Sequence, residues 1–231
     1  MQPFSADYAC SRCLAPFSNA HPLDEDGVCA LCRADADGPD VVFAYGVFEE
    51  PLRELVHLFK YAGVTALARP LGRLLRLAVP RDRRFDLIVP TPLHWRRRWT
   101  RGYNQAMLLA RELAPALGLK PVNALRRTRA TTAQAGLSRT ARRANVAGAF
   151  LVRDASRIRG RRVLLVDDVM TTGATLRACA AALKRAGARS VSIAVLARAG
   201  RAATTWPSDA GISSEFTTSR SLENAKLGST A

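Results

Sequence analysis

The sequence contains few lysines and histidines and no long apolar run, and each of these features limits the classes of protein to which the chain can belong. Only four of its 35 basic residues are lysine, so arginine carries most of its positive charge. Its three histidines, His21, His57 and His94, are isolated, which favours surface or packing positions, with a role for His94 beside a predicted ligand loop as the alternative. No apolar run approaches the roughly 18 residues that a membrane-spanning helix needs, and the N-terminal sequence lacks the basic and then apolar pattern of a signal peptide. We therefore expect a cytoplasmic protein without a membrane span.

Cysteine is also scarce, but four of the five cysteines form two pairs. Cys10-x-x-Cys13 and Cys29-x-x-Cys32 are separated by fifteen residues, a spacing typical of a zinc ribbon. Two disulfides are the alternative, which a reducing cytoplasm disfavours. Four protein ligands leave no open position, so the zinc would be structural and would supply folding energy to a small module. Cys179 lies on the apolar face of a predicted helix and is expected to be a buried side chain.

The net charge of +16 is distributed unevenly. Residues 1–40 carry two arginines against seven acidic residues, so the excess positive charge lies in residues 41–199. A basic body of this kind attracts polyanions such as pyrophosphate or nucleic acid, although solvated helix faces and an arginine-rich composition explain part of the excess. We expect the acidic N-terminal module to dock against the basic body or against a protein partner.

Alternating apolar strands and amphipathic helices predict an α/β domain with a mostly parallel sheet and flanking helices over residues 41–199. Strands are predicted at 41–47, 86–90, 122–125, 163–166 and 191–196, and helices at 51–61, 67–79, 103–117 and from 176 onward. Residues 126–145 are polar and aperiodic, which predicts a long functional loop. Residues 200–231 are predicted to be a disordered tail; several dipeptides in it match common cloning sites, so vector origin and a natural tail both stay open.

The stretch most informative about chemistry is 163–175, which reads VLLVDDVMTTGAT. Asp167 and Asp168 follow four apolar residues, where we expect a buried strand to end. A loop of small residues precedes the next helix and consists of Met170, Thr171, Thr172, Gly173, Ala174 and Thr175. Ligands of open α/β sheets bind beyond the strand ends, where a helix N-terminus attracts phosphate. Because acids facing a phosphate would repel it, the layout predicts a ribose phosphate whose hydroxyls, or a Mg²⁺ ion, face the acids. A buried strand with an acidic turn and a capped helix is the alternative.

This run resembles the thirteen-residue signature of the type I phosphoribosyltransferases, which bind phosphoribosyl pyrophosphate (PRPP). The resemblance implies that Asp167 and Asp168 are the catalytic acids that hold the 2- and 3-hydroxyls of the ribose. It also implies that residues 170–175 hold the 5-phosphate. Hypoxanthine-type enzymes carry an aspartate at the position of Thr171, where it handles a purine proton. A threonine hydroxyl cannot do this near neutral pH, so the run is more similar to orotate-type enzymes and PRPP synthetases.

A second candidate segment follows the predicted strand 86–90 and reads HWRRRWTRGYNQA from His94. Arg98 and Arg101 are predicted to grip pyrophosphate, because guanidinium groups bind phosphates bidentately, and Gly102 permits close backbone approach. Stacking and charge in the same segment also suit single-stranded nucleic acid. The candidates for that contact are Trp95, Arg96, Arg97, Trp99 and Tyr103. Packing beside the pyrophosphate loop is the alternative for the aromatic residues.

In chain order, these motifs resemble the ComF family of phosphoribosyltransferase-like proteins, which are linked to natural competence and the use of external DNA. The resemblance runs from Cys10 to about Arg198, and it includes Lys60-Tyr61 with Gly63 and the run QAGLSR at 134–139. It implies structural zinc, Mg²⁺ with PRPP, and a flexible loop over the active site. The loop residues it singles out are Gln134, Ser138, Arg139 and Arg143.

Two functions follow from this resemblance. One is a Mg²⁺-dependent phosphoribosyltransferase of unknown acceptor that releases pyrophosphate. The other is a non-catalytic accessory protein of competence that keeps the fold and binds single-stranded DNA, with a competence helicase or other DNA-uptake proteins as partners. The two functions are compatible with each other. We further expect removal of zinc to unfold residues 1–34 and to leave the PRPP site largely formed.

Overall fold

The computed structural model describes residues 7–93, 102–128 and 148–199. In chain order the strands and helices are β1 (Tyr8–Ala9), β2 (Pro16–Phe17), α1 (Ala30–Arg33), β3 (Val41–Val47), α2 (Leu52–Tyr61), α3 (Ala68–Ala78), β4 (Leu87–Pro90), α4 (Gln105–Leu113), β5 (Leu125–Arg127), β6 (Phe150–Val152), β7 (Arg162–Met170), α5 (Ala174–Arg185) and β8 (Ser190–Arg198). Within these ranges, no helix combines the length and the apolar character that crossing a membrane requires.

The centre of the fold is a four-stranded sheet in the order β3-β8-β7-β4, and every neighbouring pair is parallel. Because successive strand residues point to opposite faces, Val163 and Leu165 of β7 pack with the apolar residues of α5, whereas Leu164 and Val166 pack with those of α2, α3 and α4. Both faces are therefore covered, which explains the continuous apolar strands. The predicted α/β fold with a parallel sheet is confirmed.

Strand β7 is longer than its apolar run predicted. It continues past Asp167 and Asp168 to Met170, so the expectation that the strand ends at the two acids is wrong. The reason is its neighbour β8, which supplies pairing partners as far as Met170↔Arg198. On the other side, β4 pairs with β7 only as far as Val166. The two acids therefore lie where one neighbouring strand has stopped and the other continues.

A small antiparallel pair differs from the sequence-based assignment. The strand expected at 122–125 is instead β5, which pairs with β6 in a separate two-stranded sheet. The predicted loop 126–145 therefore begins inside a strand. The unforeseen β6 is only three residues long and alternates around one exposed leucine, Leu151, so it carries too little apolar pattern to be recognised alone.

The cysteine module, described from residue 7 to residue 40, packs against the α5 side of the sheet. Its cysteines share an apolar cluster with Leu176 and other residues of α5. Polar links surround this contact: Lys184 pairs with Asp40 at 2.7 Å, and Arg177 pairs with Asp35. The acidic module therefore docks on basic residues of the body, as its charge predicts.

Candidate functional site

The two acids lie at the carboxyl end of β7, beyond the last residue that pairs with β4. Asp168 is only 6% exposed, whereas Asp167 is partly exposed. The Asp167 carboxylate accepts a hydrogen bond from the Asp168 backbone N–H at 2.9 Å, and the Asp168 carboxylate accepts one from the N–H of Val169 at 2.7 Å. These bonds fix both side chains against the backbone. The acidic pair is thus held in place at the edge of the sheet where ligands of this fold class bind.

Lys60, at the end of α2, joins the acidic pair. Its Nζ atom lies 3.0 Å from Oδ1 of Asp168, and both side chains are largely shielded from solvent. Asp168 follows Leu164 and Val166 in strand alternation, so it points to the face that α2 covers. The ammonium group therefore compensates part of the negative charge that two adjacent carboxylates create.

Asp167 is in the less favourable electrostatic position of the two. Burial and the neighbouring charge of Asp168 raise the pKa of Asp167 to about 7, although Lys60, the Asp168 backbone N–H and the Thr91 side chain each lower it. The Thr91 hydroxyl is buried and has no hydrogen-bond partner within the described residues by distance and angle. A carboxyl group whose pKa is raised to near neutrality is typical of a functional site.

Replacing Asp167 with asparagine is expected to stabilise the protein more at pH 8 than at pH 5. The pKa of Asp167 is about 7 in the folded protein and 3.8 for an unperturbed aspartate, so the folded state binds the proton more tightly than the unfolded state does. The stability contributed by that proton is present below the unfolded pKa and is lost as pH rises to about 7. For a fully buried group, the stability gain would grow by about 1.4 kcal/mol for each pH unit between 5 and 7. Because Asp167 is partly exposed, we expect the gain to grow by only about 1–2 kcal/mol between pH 5 and pH 8. Urea unfolding of both proteins at both pH values measures it, and an equal gain at both would contradict the raised pKa.

Residues 170–175, the phosphate loop of the sequence-based prediction, connect β7 to α5 and offer backbone donors without a partner among the described residues. The backbone N–H groups of Thr171, Thr172 and Gly173 make no hydrogen bond to any other described residue. Thr172 Oγ1 accepts from the N–H of Ala174 at 3.4 Å, and Gly173 precedes the helix with φ of 75°. Free N–H groups at the start of a twelve-residue helix are well suited to an anion. The side chain of Met170, in contrast, is 1% exposed and belongs to the core.

Substitution of Gly173 is expected to be destabilising through backbone strain and through a side-chain contact, and a matched substitution of Gly160 separates the two effects. A Cβ atom there would lie 2.4 Å from Cε of Met170, whereas one at Gly160, with a similar φ of 73°, would meet nothing within 4 Å. Gly160→Ala should cost about 1 kcal/mol through backbone strain alone, and Gly173→Ala about 1–2 kcal/mol, because the methyl end of the buried Met170 side chain must also shift. Chemical denaturation measures both, and equal costs would contradict the clash.

The four paired cysteines form one cluster. All four are buried free thiols whose Sγ atoms lie within 4.8 Å of one another, and the sulfurs of Cys13 and Cys29 are 3.9 Å apart. A tetrahedral zinc site with bonds of about 2.3 Å places its sulfurs about 3.8 Å apart. The N–H of Cys29 also points at Cys10 Sγ at 3.3 Å. The donor set therefore fits a structural zinc ion, and these cysteines form no disulfide.

Only the end of the predicted pyrophosphate segment is described. Gly102 adopts φ of 75°, and no atom of the described residues lies within 4 Å of a Cβ atom added there. The Tyr103 ring packs 6.1 Å from that of Phe59, and its hydroxyl donates to the Phe59 carbonyl. Asn104 caps α4 and donates to the Thr91 carbonyl at 3.0 Å, which ties this segment to the end of β4. The other predicted residues of the segment and of the long loop lie outside the described residues: Trp95, Arg96, Arg97, Arg98, Trp99, Arg101, Gln134, Ser138, Arg139 and Arg143.

Four side chains near the site were not singled out as site residues from the sequence: Lys60, Thr91, Arg177 and Arg198. Lys60 was visible only as part of the Lys60-Tyr61 motif, and the scarcity of lysine in the chain could have drawn attention to it. Arg198 is 7% exposed and directly follows the buried apolar residues 193–197 of β8. A charged residue that closes such a strand is a usable signal, because a buried charge needs several partners.

Comparisons with known proteins agree with this geometry. The family model described as phosphoribosyl transferase domain matches residues 100–224. The chain is 37% identical over 179 residues to competence protein F of Haemophilus influenzae, covering 74% of this chain and 78% of that protein. It is 35% identical over 196 residues to DNA utilization protein YhgH of Escherichia coli K12, covering 82% and 83%.

Among solved structures, it is similar to one described as the allosteric regulatory enzyme of purine biosynthesis, with 21% identity and a TM-score of 0.41 over 57% of this chain. The chain spans 26% of that enzyme's length. The domain match and the two bacterial relatives, joined to a parallel sheet and a four-cysteine cluster, show that the chain belongs to the ComF family of phosphoribosyltransferase-domain proteins.

Proposed function

We propose that the chain binds PRPP with Mg²⁺ at the carboxyl end of β7 and transfers its phosphoribosyl group to an acceptor. The observation that supports this most strongly is the adjacency of two chemically opposite features. The acidic pair, Asp167 and Asp168, lies near the carboxyl end of β7, and the phosphate loop follows on the same strand with N–H groups that have no partner among the described residues. A ribose 5-phosphate carries hydroxyls and a phosphate on one small molecule, so it can satisfy both features together.

Each part of the site has a role in this proposal. The carboxylates of the acidic pair accept hydrogen bonds from the ribose 2- and 3-hydroxyls, and they provide the oxygen ligands that Mg²⁺ prefers near substrate phosphates. The N–H groups and hydroxyls of Thr171 and Thr172 donate to the 5-phosphate. Lys60, whose Nζ atom lies 3.0 Å from Oδ1 of Asp168, orients that carboxylate and offsets part of the negative charge of the acidic pair. Arg98 and Arg101 are proposed to hold the pyrophosphate, with the loop residues named from the ComF resemblance.

The proposed reaction exchanges one bond at the anomeric carbon for another. The C1–O bond to pyrophosphate breaks, pyrophosphate leaves with the electron pair, and a nucleophilic atom of the acceptor bonds to C1. Such a transition state is oxocarbenium-like, so ribose must be held rigidly while positive charge develops on it. Two carboxylates beside the ring stabilise that charge. We also propose a cytoplasmic location, since thiols that hold zinc stay reduced there.

Calorimetric titration of PRPP into the full chain, with and without Mg²⁺, tests this proposal. We expect saturable binding that depends on the metal, and no binding would overturn it. A panel of nucleobases, assayed for PRPP-dependent release of pyrophosphate, then identifies the acceptor. Binding of PRPP without turnover on any acceptor would support the ligand site and reject the transfer reaction.

A second proposed function is binding of single-stranded DNA, which the printed names of the relatives, competence and DNA utilization, favour. The interleaved aromatic and basic residues at 95–99 are the proposed contact. Trp95→Ala with Trp99→Ala should weaken oligonucleotide binding by about 1–3 kcal/mol per stacked base, and affinity should fall steeply with salt. Fluorescence anisotropy measures both. Trp206→Ala is the matched control for loss of a tryptophan, and equal affinity of the two variants would remove this segment from the interface.

A further inference from the structure

Arg198 joins the cysteine module to the phosphate loop. Its side chain is buried at the end of β8. Nε donates to the carbonyl of Cys13 at 3.2 Å, and Nη1 donates to the carbonyls of Met170 at 2.9 Å, Ala199 at 3.0 Å and Thr171. One guanidinium group therefore contacts the first cysteine pair and the start of the phosphate loop. No carboxylate among the described residues forms an ion pair with it.

The direction of these bonds matters for the phosphate site. In a planar trans peptide, the C=O of one residue and the N–H of the next point in opposite directions. By holding the carbonyls of Met170 and Thr171, Arg198 turns the N–H groups of Thr171 and Thr172 away from itself. These are two of the donors that remain free among the described residues. Arg198 thus sets the direction in which the loop presents its donors.

Arg177 provides a second link between the same two regions. It lies in the first turn of α5, and its backbone N–H donates to the Gly173 carbonyl at 2.8 Å. Its Nη2 lies 3.1 Å from Sγ of Cys32, and Nη1 pairs with Asp35. The turn of helix that follows the phosphate loop is therefore anchored on the second cysteine pair. A divalent zinc ion with four thiolates carries a formal charge of about −2, which complements the two guanidinium groups.

We propose that Arg198 is a positioning residue of the phosphate loop, and that Arg198 and Arg177 together make the loop's conformation depend on the zinc-loaded cysteine module. The inference rests on the proposed PRPP site. It replaces the expectation that zinc removal would leave that site formed, because that expectation treated the module as separate. The module acts on the ligand through the loop and contributes no atom that touches it.

Hydrogen exchange and PRPP titration of Arg198→Met in the full chain test the proposal. Methionine replaces the aliphatic stem of the arginine side chain and removes every hydrogen-bond donor. We expect faster amide exchange in residues 170–175 and a PRPP affinity that is at least about tenfold lower. Energetic coupling between two sites of a protein typically changes affinity by about 5–150-fold. Arg189→Met, which removes an exposed arginine, is the control and should change neither. A folded Arg198→Met protein with unchanged exchange and unchanged affinity would overturn the proposal.

Two further arms keep the test decisive. If Arg198→Met does not fold, zinc is withdrawn from the wild-type chain by a chelator and its release is followed colorimetrically. Faster exchange at 170–175 in step with zinc loss supports the coupling, and unchanged exchange there refutes it. If the wild-type protein binds no PRPP, the proposed function fails. The exchange measurements still decide whether Arg198 and the module position the loop, because they need no ligand.

Discussion

Asp168→Asn is expected to remove detectable Mg²⁺-dependent PRPP binding. The substitution deletes a carboxylate that is proposed to accept a ribose hydroxyl, and charged acceptors contribute about 1.5–3 kcal/mol each. It also leaves Lys60 Nζ, now 3.0 Å from the carboxylate, without its counter-charge in a shielded position. An unpaired ammonium would then repel Mg²⁺ at the same place. Together these losses predict an affinity at least about 100-fold lower, or about 2.7 kcal/mol.

The companion variants make this result specific to the acidic pair. Asp167→Asn should also lose PRPP affinity, yet it should gain stability at pH 8, so the two neighbouring substitutions separate binding from folding. Asp82→Asn changes an exposed acid in the connection before β4 and should bind as the wild type does. Calorimetry at fixed Mg²⁺ measures all three. Wild-type affinity in a folded Asp168→Asn protein would exclude the acidic pair from the ribose site.

The candidate site could be predicted from sequence where its residues are neighbours in the chain. The acidic pair, the small-residue loop and Gly173 lie within thirteen residues, so their order alone indicated a ribose phosphate. Lys60 lies more than a hundred positions before Asp168, and only the strand order places α2 above it. Arg198 was hidden for a similar reason. Its partners come from the first cysteine pair and from the loop after β7, and no local pattern connects those segments.

The strands of the sheet could be predicted from local sequence, but the residues at which they end could not. Buried parallel strands are continuous apolar runs, and those runs identified all four strands of the sheet. The end of such a strand depends on its neighbours, and β8 extends β7 past the acids while β4 stops earlier. No sequence pattern indicates that β7 extends past the acids, because carboxylates normally end an apolar run. The candidate site therefore lies at the edge of the sheet where a local sequence pattern is least informative.

Substitution of Cys32 by serine is expected to have the largest effect on folding. Cys32 is fully buried in the cysteine cluster, and its sulfur also accepts from Arg177 at 3.1 Å. Structural zinc contributes about 10–16 kcal/mol to the folding of small zinc-binding peptides, and the module has only short strands and one four-residue helix of its own. Cys32→Ser should therefore release the metal and unfold most of residues 7–40.

The fifth cysteine provides the control for this prediction. Cys179 is equally buried but lies in α5, apart from the four-cysteine cluster. Cys179→Ala should keep about one zinc ion per chain, with only the modest loss of stability that a small core truncation causes. Metal content by colorimetric release, with amide exchange over residues 7–40, distinguishes the two variants. Because Asp35 and Asp40 bind side chains of α5, unfolding of the module should also expose that helix. Full zinc content and native exchange in Cys32→Ser would show that the cluster is held by packing and not by metal.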